Sequence, residues 1–205
     1  SARVTVSDWL EHVDFGRQER VVRVNPLGSR WFERDVEETM GHPPDSYLIP
    51  KVNNANEVAE IDATIREHER SFGHTEGAVK LLILGTETPQ GFLNIGDLAA
   101  NPRVDALTWG AEDLSAAIGS RANRNPDGSY LPIFEHARVM CLLAATAWDK
   151  QPLDTVFVDF NDPTVEVKPL KQISGGSGFN EVFFNETRVS SNRLLGDLNQ
   201  GWNLA

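Results

Sequence analysis

Short apolar runs and amphipathic stretches follow one another along most of the chain. The runs RVVRVN, YLIPKV, KLLILGTET, DALTWG and TVFVDF are dense in branched and aromatic residues, and they predict five strands at 21–25, 47–52, 81–86, 106–110 and 155–160. KLLILGTET is almost continuously apolar until Thr86 and Glu87, as a strand covered on both faces requires. SDWLEHV, capped by Ser7 or Asp8, WFERDVEETM, NANEVAEIDATIREHERSF, QGFLNIGDLA and PIFEHARVMCLLAATAW carry apolar residues at helical spacing and predict helices. DALTWGAED reads as a strand running to a polar tip, and RANRNPDGSY as a loop. Strands alternating with helices call for parallel pairing, because each crossover helix buries its own apolar stripe on the sheet. The fold class expected is α/β, a partial TIM-barrel-like parallel sheet.

The pattern changes after Asp162. VEVKPL and NEVFFNETRV are β-rich pieces separated by the Gly175, Gly176 and Gly178 cluster, with no crossover helix between them. This is the periodicity of antiparallel strands. The glycines have neither the spacing of a dinucleotide fingerprint nor the lysine and hydroxyl of a phosphate loop, so they read as a turn. The expected division is a barrel-like domain over 1–162 and a β-rich C-terminal extension over 163–205.

Composition narrows the function classes. Of 205 residues, 19 are Lys or Arg and 30 are Asp or Glu, giving a formal charge of -11. That argues against generic capture of nucleic acid or of an anionic membrane. The one cysteine, Cys141, sits in VMCLLAATAW as a small buried hydrophobe, so a disulfide scaffold is excluded. No apolar run has the length of a membrane span and the N-terminus has no signal pattern, so the expected location is cytoplasmic. His12, His42, His68, His74 and His136 are dispersed and form no metal motif.

Candidate chemistry gathers at the predicted strand ends. Arg23 and Asn25 end the first strand, Glu87 the third, and Glu112 and Asp113 the fourth. In a parallel barrel these ends share the C-terminal rim, where catalytic groups sit. Two ionised carboxylates at one rim repel unless a cation lies between them, and magnesium takes one or two protein carboxylates while keeping water. Arg23 is placed to hold an anionic oxygen opposite such an ion, and Glu112 to orient its water. Lys51, directly after a proline of the second strand, complements the same carboxylates as an ion pair or as part of the chemistry. Arg121 and Arg124 stand on the following loop, suited to phosphate or carboxylate recognition. Solvated rim charges remain the other reading of the whole set.

The segments VVRVNPLGSRWFERD, YLIPKVNNANEV, LLILGTETPQGFLNIGDLAANPRVDALTWGAEDLSAAIG, RANRNPDGSY and LDTVFVDFND together resemble the citrate lyase beta subunit-like branch of the HpcH/HpaI aldolases over roughly 5–162. The resemblance implies a modified TIM barrel, a homo-oligomer, and magnesium-dependent carbon–carbon lyase chemistry on malyl-CoA, citramalyl-CoA or related 3-hydroxyacyl thioesters of coenzyme A. It implies Glu87 of TET and Asp113 of GAED as magnesium ligands and Arg23 of VRVN as the substrate-binding arginine. It also implies an incomplete module, because five strands stand where the family barrel has eight. PLKQISGGSGFNEVFFNETRVSSNRLLGDLNQGWNLA resembles a different family, the acyl-CoA dehydrogenases, through Phe179, Asn180, Glu181, Val182, Phe183, Phe184, Gly201 and Trp202. Under that alternative the cofactor would be FAD, although the family's catalytic carboxylate lies outside the segment. A third alternative is a nonenzymatic remnant or interaction module.

Overall fold

The computed structural model describes residues 2–155 and, of the C-terminal part, the backbone of two strands at 165–170 and 179–184. The chain divides into two compact units, Ser1–Thr155 and Val156–Ala205. In the first unit the order is α1 (Ala2–His12), β1 (Val21–Arg23), α2 (Phe32–Thr39), β2 (Ser46–Ile49), α3 (Ala55–Phe72), β3 (Lys80–Leu84), α4 (Pro89–Leu93), α5 (Ile95–Leu98), β4 (Val104–Thr108), α6 (Ala111–Ala117), α7 (Pro132–Ala147) and β5 (Gln151–Leu153).

All five strands pair in parallel and in sequence order, β1-β2-β3-β4-β5. Successive right-handed crossovers in one direction set their helices on one face, which is the arrangement of a barrel wall and not of a doubly wound sheet. Burial follows this topology. Tyr47, Ile49, Leu81, Ile83 and Leu107 are fully buried and join the core with Val58, Ile61 and Ile65 of α3 and Phe134, Ala137 and Cys141 of α7. Arg23, Leu48, Leu82 and Ala106 are in register across the strands and share the opposite face, outside that core cluster. The α/β class and the barrel-like parallel sheet therefore stand as expected.

Local chemistry fixes several boundaries. Asn54 caps α3 by accepting the backbone N–H groups of Asn56 and Glu57, and Gly73 ends it at a left-handed φ of 78°. Pro89 opens α4 at a first-turn position where a missing N–H costs nothing. At the N-terminal end of the sheet Arg103, just before β4, is buried against Glu69 and Asp62 of α3 at 2.9 and 2.5 Å. Glu69 also accepts the N–H groups of Gly77 and Val79, so this cluster ties α3 to the entry of β3.

Three expectations need correction. α1 begins at Ala2, so Ser7 and Asp8 lie inside it and do not cap it. GAED is not a strand tip: Ala111–Ala117 is α6, with Ala111 and Leu114 buried one turn apart. The fifth strand is Gln151–Leu153, pairing with Ala106–Thr108, ahead of the span expected at 155–160, of which 156–160 lies outside the described residues. QPL has little intrinsic strand preference; its pairing with β4 makes it a strand.

In the second unit β6 (Val165–Leu170) pairs antiparallel with β7 (Phe179–Phe184), from Val165 opposite Phe184 to Leu170 opposite Phe179. This agrees with the β-rich extension expected there. The glycine cluster, Gly201 and Trp202 lie outside the described residues. No helix among the described residues is long and apolar enough to cross a membrane.

Candidate active site

The strand ends bring four charged residues together. Glu87 follows β3 through the turn Gly85-Thr86, which is fastened to the end of β4: Gly85 N–H donates to the Thr108 carbonyl, and Thr86 Oγ1 accepts from Gly110 N–H at 3.0 Å. Gly110 packs beside the acid: a Cβ there would stand at ordinary contact distance, 3.5 Å, from Glu87 Cγ. The Glu87 side chain is only 4% exposed. Its Oε2 accepts the Lys51 backbone N–H at 2.8 Å, and its Oε1 lies 3.8 Å from Arg23 Nη2, an ion-pair distance too long for a hydrogen bond. Lys51 Nζ reaches Asp113 Oδ1 at 3.2 Å. Asp113, in the first turn of α6, is half-buried and repels Glu87. Burial above all, and then this neighbouring charge, push the Glu87 carboxyl above its ordinary value, against the opposing pull of Lys51 and Arg23.

A hard divalent cation fits this set. Glu87 Oε1 is a buried carboxylate oxygen with no hydrogen-bond donor among the described residues, and a second carboxylate, Asp113, lies near enough to repel it. No three His, Cys, Asp or Glu side chains converge among the described residues. Magnesium does not need three, because two carboxylates with water and substrate complete its shell.

The other expected residues go elsewhere. Asn25 donates its N–H and its amide to Asp35 Oδ2 at 2.9 and 2.6 Å, so Asp35 of α2 fixes the loop after Arg23. Glu112 accepts a hydrogen bond from Asn123 at 3.2 Å, which engages it with the 121–130 loop. The Arg124 guanidinium stacks 3.6 Å from the Tyr130 ring centre, donates to the Gly128 carbonyl at 2.8 Å and meets the Tyr130 hydroxyl, so it stabilises its own loop. Arg121 is exposed on that loop. The ion pair expected of Lys51 is present.

Sequence reasoning missed Asp35, Thr86 and Asp154. Asp35 looks like one more charge on the polar side of WFERDVEETM, yet it is 8% exposed and also takes Arg3 of α1 at 2.5 Å. Asp154 accepts the Trp109 indole N–H at 2.8 Å and Arg138 at 2.6 Å, joining the end of β5 to that of β4. A one-dimensional pattern carries no signal for such cross-element pairs.

Comparison with known proteins identifies the family. The family model described as HpcH/HpaI aldolase/citrate lyase matches residues 1–178, past the junction expected at 162. A (3S)-malyl-CoA thioesterase of Cereibacter sphaeroides is 32% identical over 161 residues, covering 78% of this chain and 50% of that protein. The crystal structure of a citrate lyase from Burkholderia xenovorans superposes with a TM-score of 0.70 at 27% identity, covering 78% of this chain and 52% of that one. CitE of Mycobacterium tuberculosis, solved in complex with magnesium, acetoacetate and coenzyme A, gives a TM-score of 0.57 at 32% identity, covering 69% of this chain and 47% of that one. The chain thus spans about half the length of the relatives it matches. With the matched model running through all five parallel strands and the whole carboxylate cluster, the chain belongs to the HpcH/HpaI aldolase/citrate lyase family.

Proposed function

We propose that this chain carries the magnesium-binding and acid-binding part of a carbon–carbon lyase site for a coenzyme A thioester of the malyl, citramalyl or 3-hydroxyacyl type. The observation that carries the reading is the under-partnered Glu87 Oε1, 3.8 Å from Arg23 and beside the half-exposed Asp113. Glu87 and Asp113 would hold the ion. Magnesium would supply Lewis acidity toward the carboxylate and the hydroxyl or keto oxygen of the substrate. Arg23, on the sheet face opposite the core cluster and more than half exposed, reaches into the site from β1 and offers a planar fork of donors to a carboxylate or to a carbonyl oxygen gaining charge. The burial of Thr86 and Glu87 keeps bulk water from one side of the cluster. The magnesium, acetoacetate and coenzyme A bound to CitE support this reading.

Hydrolysis of the same thioester is the second reading, favoured by the relative named a (3S)-malyl-CoA thioesterase. The two differ in product: a lyase gives a shorter acyl-CoA and a keto acid or aldehyde, whereas a thioesterase gives free coenzyme A. Calorimetric titration with magnesium tests the site itself. Glu87→Gln and Asp113→Asn are each expected to weaken binding, and unchanged affinity in both folded variants refutes the site. Arg23→Lys keeps the charge but loses the fork, so turnover should fall more than magnesium affinity. Assembly with further copies of the chain belongs to the same proposal and is read by light scattering on the eluting protein. For residues 165–205 the acyl-CoA dehydrogenase-like reading rests on the sequence alone, and the HpcH/HpaI aldolase/citrate lyase match runs into that segment as far as residue 178. A purified protein without flavin absorbance removes the FAD it implies.

A further inference from the structure

Lys51 touches both carboxylates of the site in two different ways. It follows the buried Pro50 at the end of β2 with a φ of 58°, a left-handed conformation that a side chain longer than Asn or Asp seldom adopts. Backbone strain of this kind collects at functional sites when the surroundings enforce it. Here the neighbouring loop does so: Asn53 donates to the Lys51 carbonyl at 3.2 Å and is itself held by Thr88 and Glu57. The conformation aims the Lys51 N–H at Glu87 Oε2 and sends Nζ to Asp113 Oδ1, so one residue bridges the end of β3 and the start of α6. The two contacts differ in permanence. The N–H contact is fixed by the backbone, whereas the Nζ pair is 47% and 42% exposed on its two partners, a mobile point charge on a flexible stem.

We propose that Lys51 Nζ is the resident counter-ion of the metal-free site and that a divalent cation must displace it from Asp113. The inference rests on the magnesium reading of Glu87 and Asp113. Without the ion, Lys51 and Arg23 face these two carboxylates. The incoming dication competes with Nζ for Asp113 Oδ1 and repels the ammonium, which swings out, while the Lys51 N–H keeps Glu87 oriented. The loaded site then carries excess positive charge at its mouth, and an anionic substrate neutralises it. Lys51 thereby links metal loading to substrate charge and lowers metal affinity in exchange.

Magnesium titration calorimetry on the whole chain tests this with Lys51→Met, with Lys51→Asn as a second neutral variant that tolerates the left-handed backbone, and with Glu87→Gln as the control for the metal site. Removing an exposed ion pair and a like charge beside a dication is expected to tighten magnesium binding about fivefold. In the parent, amine labelling of Lys51 followed by mass spectrometry is expected to speed up several-fold at saturating magnesium. Unchanged or weaker affinity in the folded neutral variants, with binding still lost in Glu87→Gln, overturns the role of Lys51 and leaves the metal site standing. No magnesium binding by the parent or the Lys51 variants overturns both. A labelling rate indifferent to magnesium overturns the displacement.

Discussion

Glu87→Gln is expected to stabilise the metal-free protein and destabilise it relative to the parent once magnesium is present. The parent carboxylate is 4% exposed, receives one full hydrogen bond from Lys51, has Arg23 only at 3.8 Å, and is repelled by Asp113. A glutamine has the same size and keeps an oxygen for the Lys51 N–H, but it removes the cost of holding an under-partnered charge away from water. From the range for replacing buried ions by neutral groups, the gain is on the order of 1 kcal/mol. For a chain of this size that corresponds to a rise in melting temperature of about 2–4 °C. Magnesium reverses the order, because binding to the folded state alone adds about 2.7 kcal/mol at a concentration of 100 times Kd. The parent gains this and the variant gains little. Thermal unfolding followed by circular dichroism at neutral pH, once with a chelator and once with saturating magnesium, should show the two proteins changing rank. A variant that melts below the parent in chelator refutes the claim that Glu87 is held at a cost, and parallel shifts in magnesium refute its role as a ligand.

Arg103→Met should be the most damaging single change at the other end of the sheet, costing about 3–5 kcal/mol because Glu69 is then charged and fully buried without its partner. Urea denaturation measures it, and recovery in the double variant with Glu69→Gln is expected; a loss below about 1 kcal/mol contradicts the buried-pair account. Burial favours the neutral form of Glu69, but the hydrogen bonds from Arg103, Gly77 and Val79 outweigh it and hold the carboxyl below its ordinary 4.5. The folded value is depressed, so this stability is present above pH 4.5 and is lost as the pH falls through the folded value. Arg103→Met should flatten that acid limb. Gly91→Ala should destabilise by about 1–3 kcal/mol, since the new Cβ would lie 2.3 Å from the Val52 carbonyl oxygen. Unaltered unfolding would mean that the loops carrying Lys51 and Glu87 can part without cost.

Strands β2, β3 and β4 were legible because YLI, KLLIL and VDALT put branched side chains on a sheet buried by helices, and their ends differ from the expected ones by a few residues. α6 was not legible, because seven residues are too few to show a helical period and the run begins directly after a strand. That error turned Asp113 into a strand-tip residue, yet it left the residue at the same rim, since the turn at Gly110 is short. The site was legible in residue type but not in partners. Arg124 and Tyr130 are six apart in sequence, and nothing in RANRNPDGSY says that the guanidinium folds onto that ring instead of facing a ligand. Asn25 and Asp35 carry no periodic signal at ten residues' separation, and the left-handed turn at Lys51 has no glycine to announce it.

The two buried glutamates argue for function more strongly than either does alone. Glu69 and Glu87 occupy opposite ends of the same part of the sheet, before and after β3, and both are almost wholly removed from solvent. At Glu69 the chain supplies four hydrogen bonds, two from Arg103 and one each from Gly77 and Val79, and the carboxyl is held below its usual range. At Glu87 it supplies one, sets a second carboxylate nearby, keeps the arginine 3.8 Å away, and the carboxyl is pushed up. The same fold therefore satisfies a buried acid completely where the acid ties α3 to the sheet, and leaves one short of partners where the strands end in the barrel's ligand-facing rim. A buried acid this short of hydrogen bonds costs stability that packing elsewhere must offset, and a perturbed carboxyl at a strand end is a candidate functional group. The divalent cation we propose for the site would bring positive charge and accept oxygen donors, which is what Glu87 Oε1 lacks.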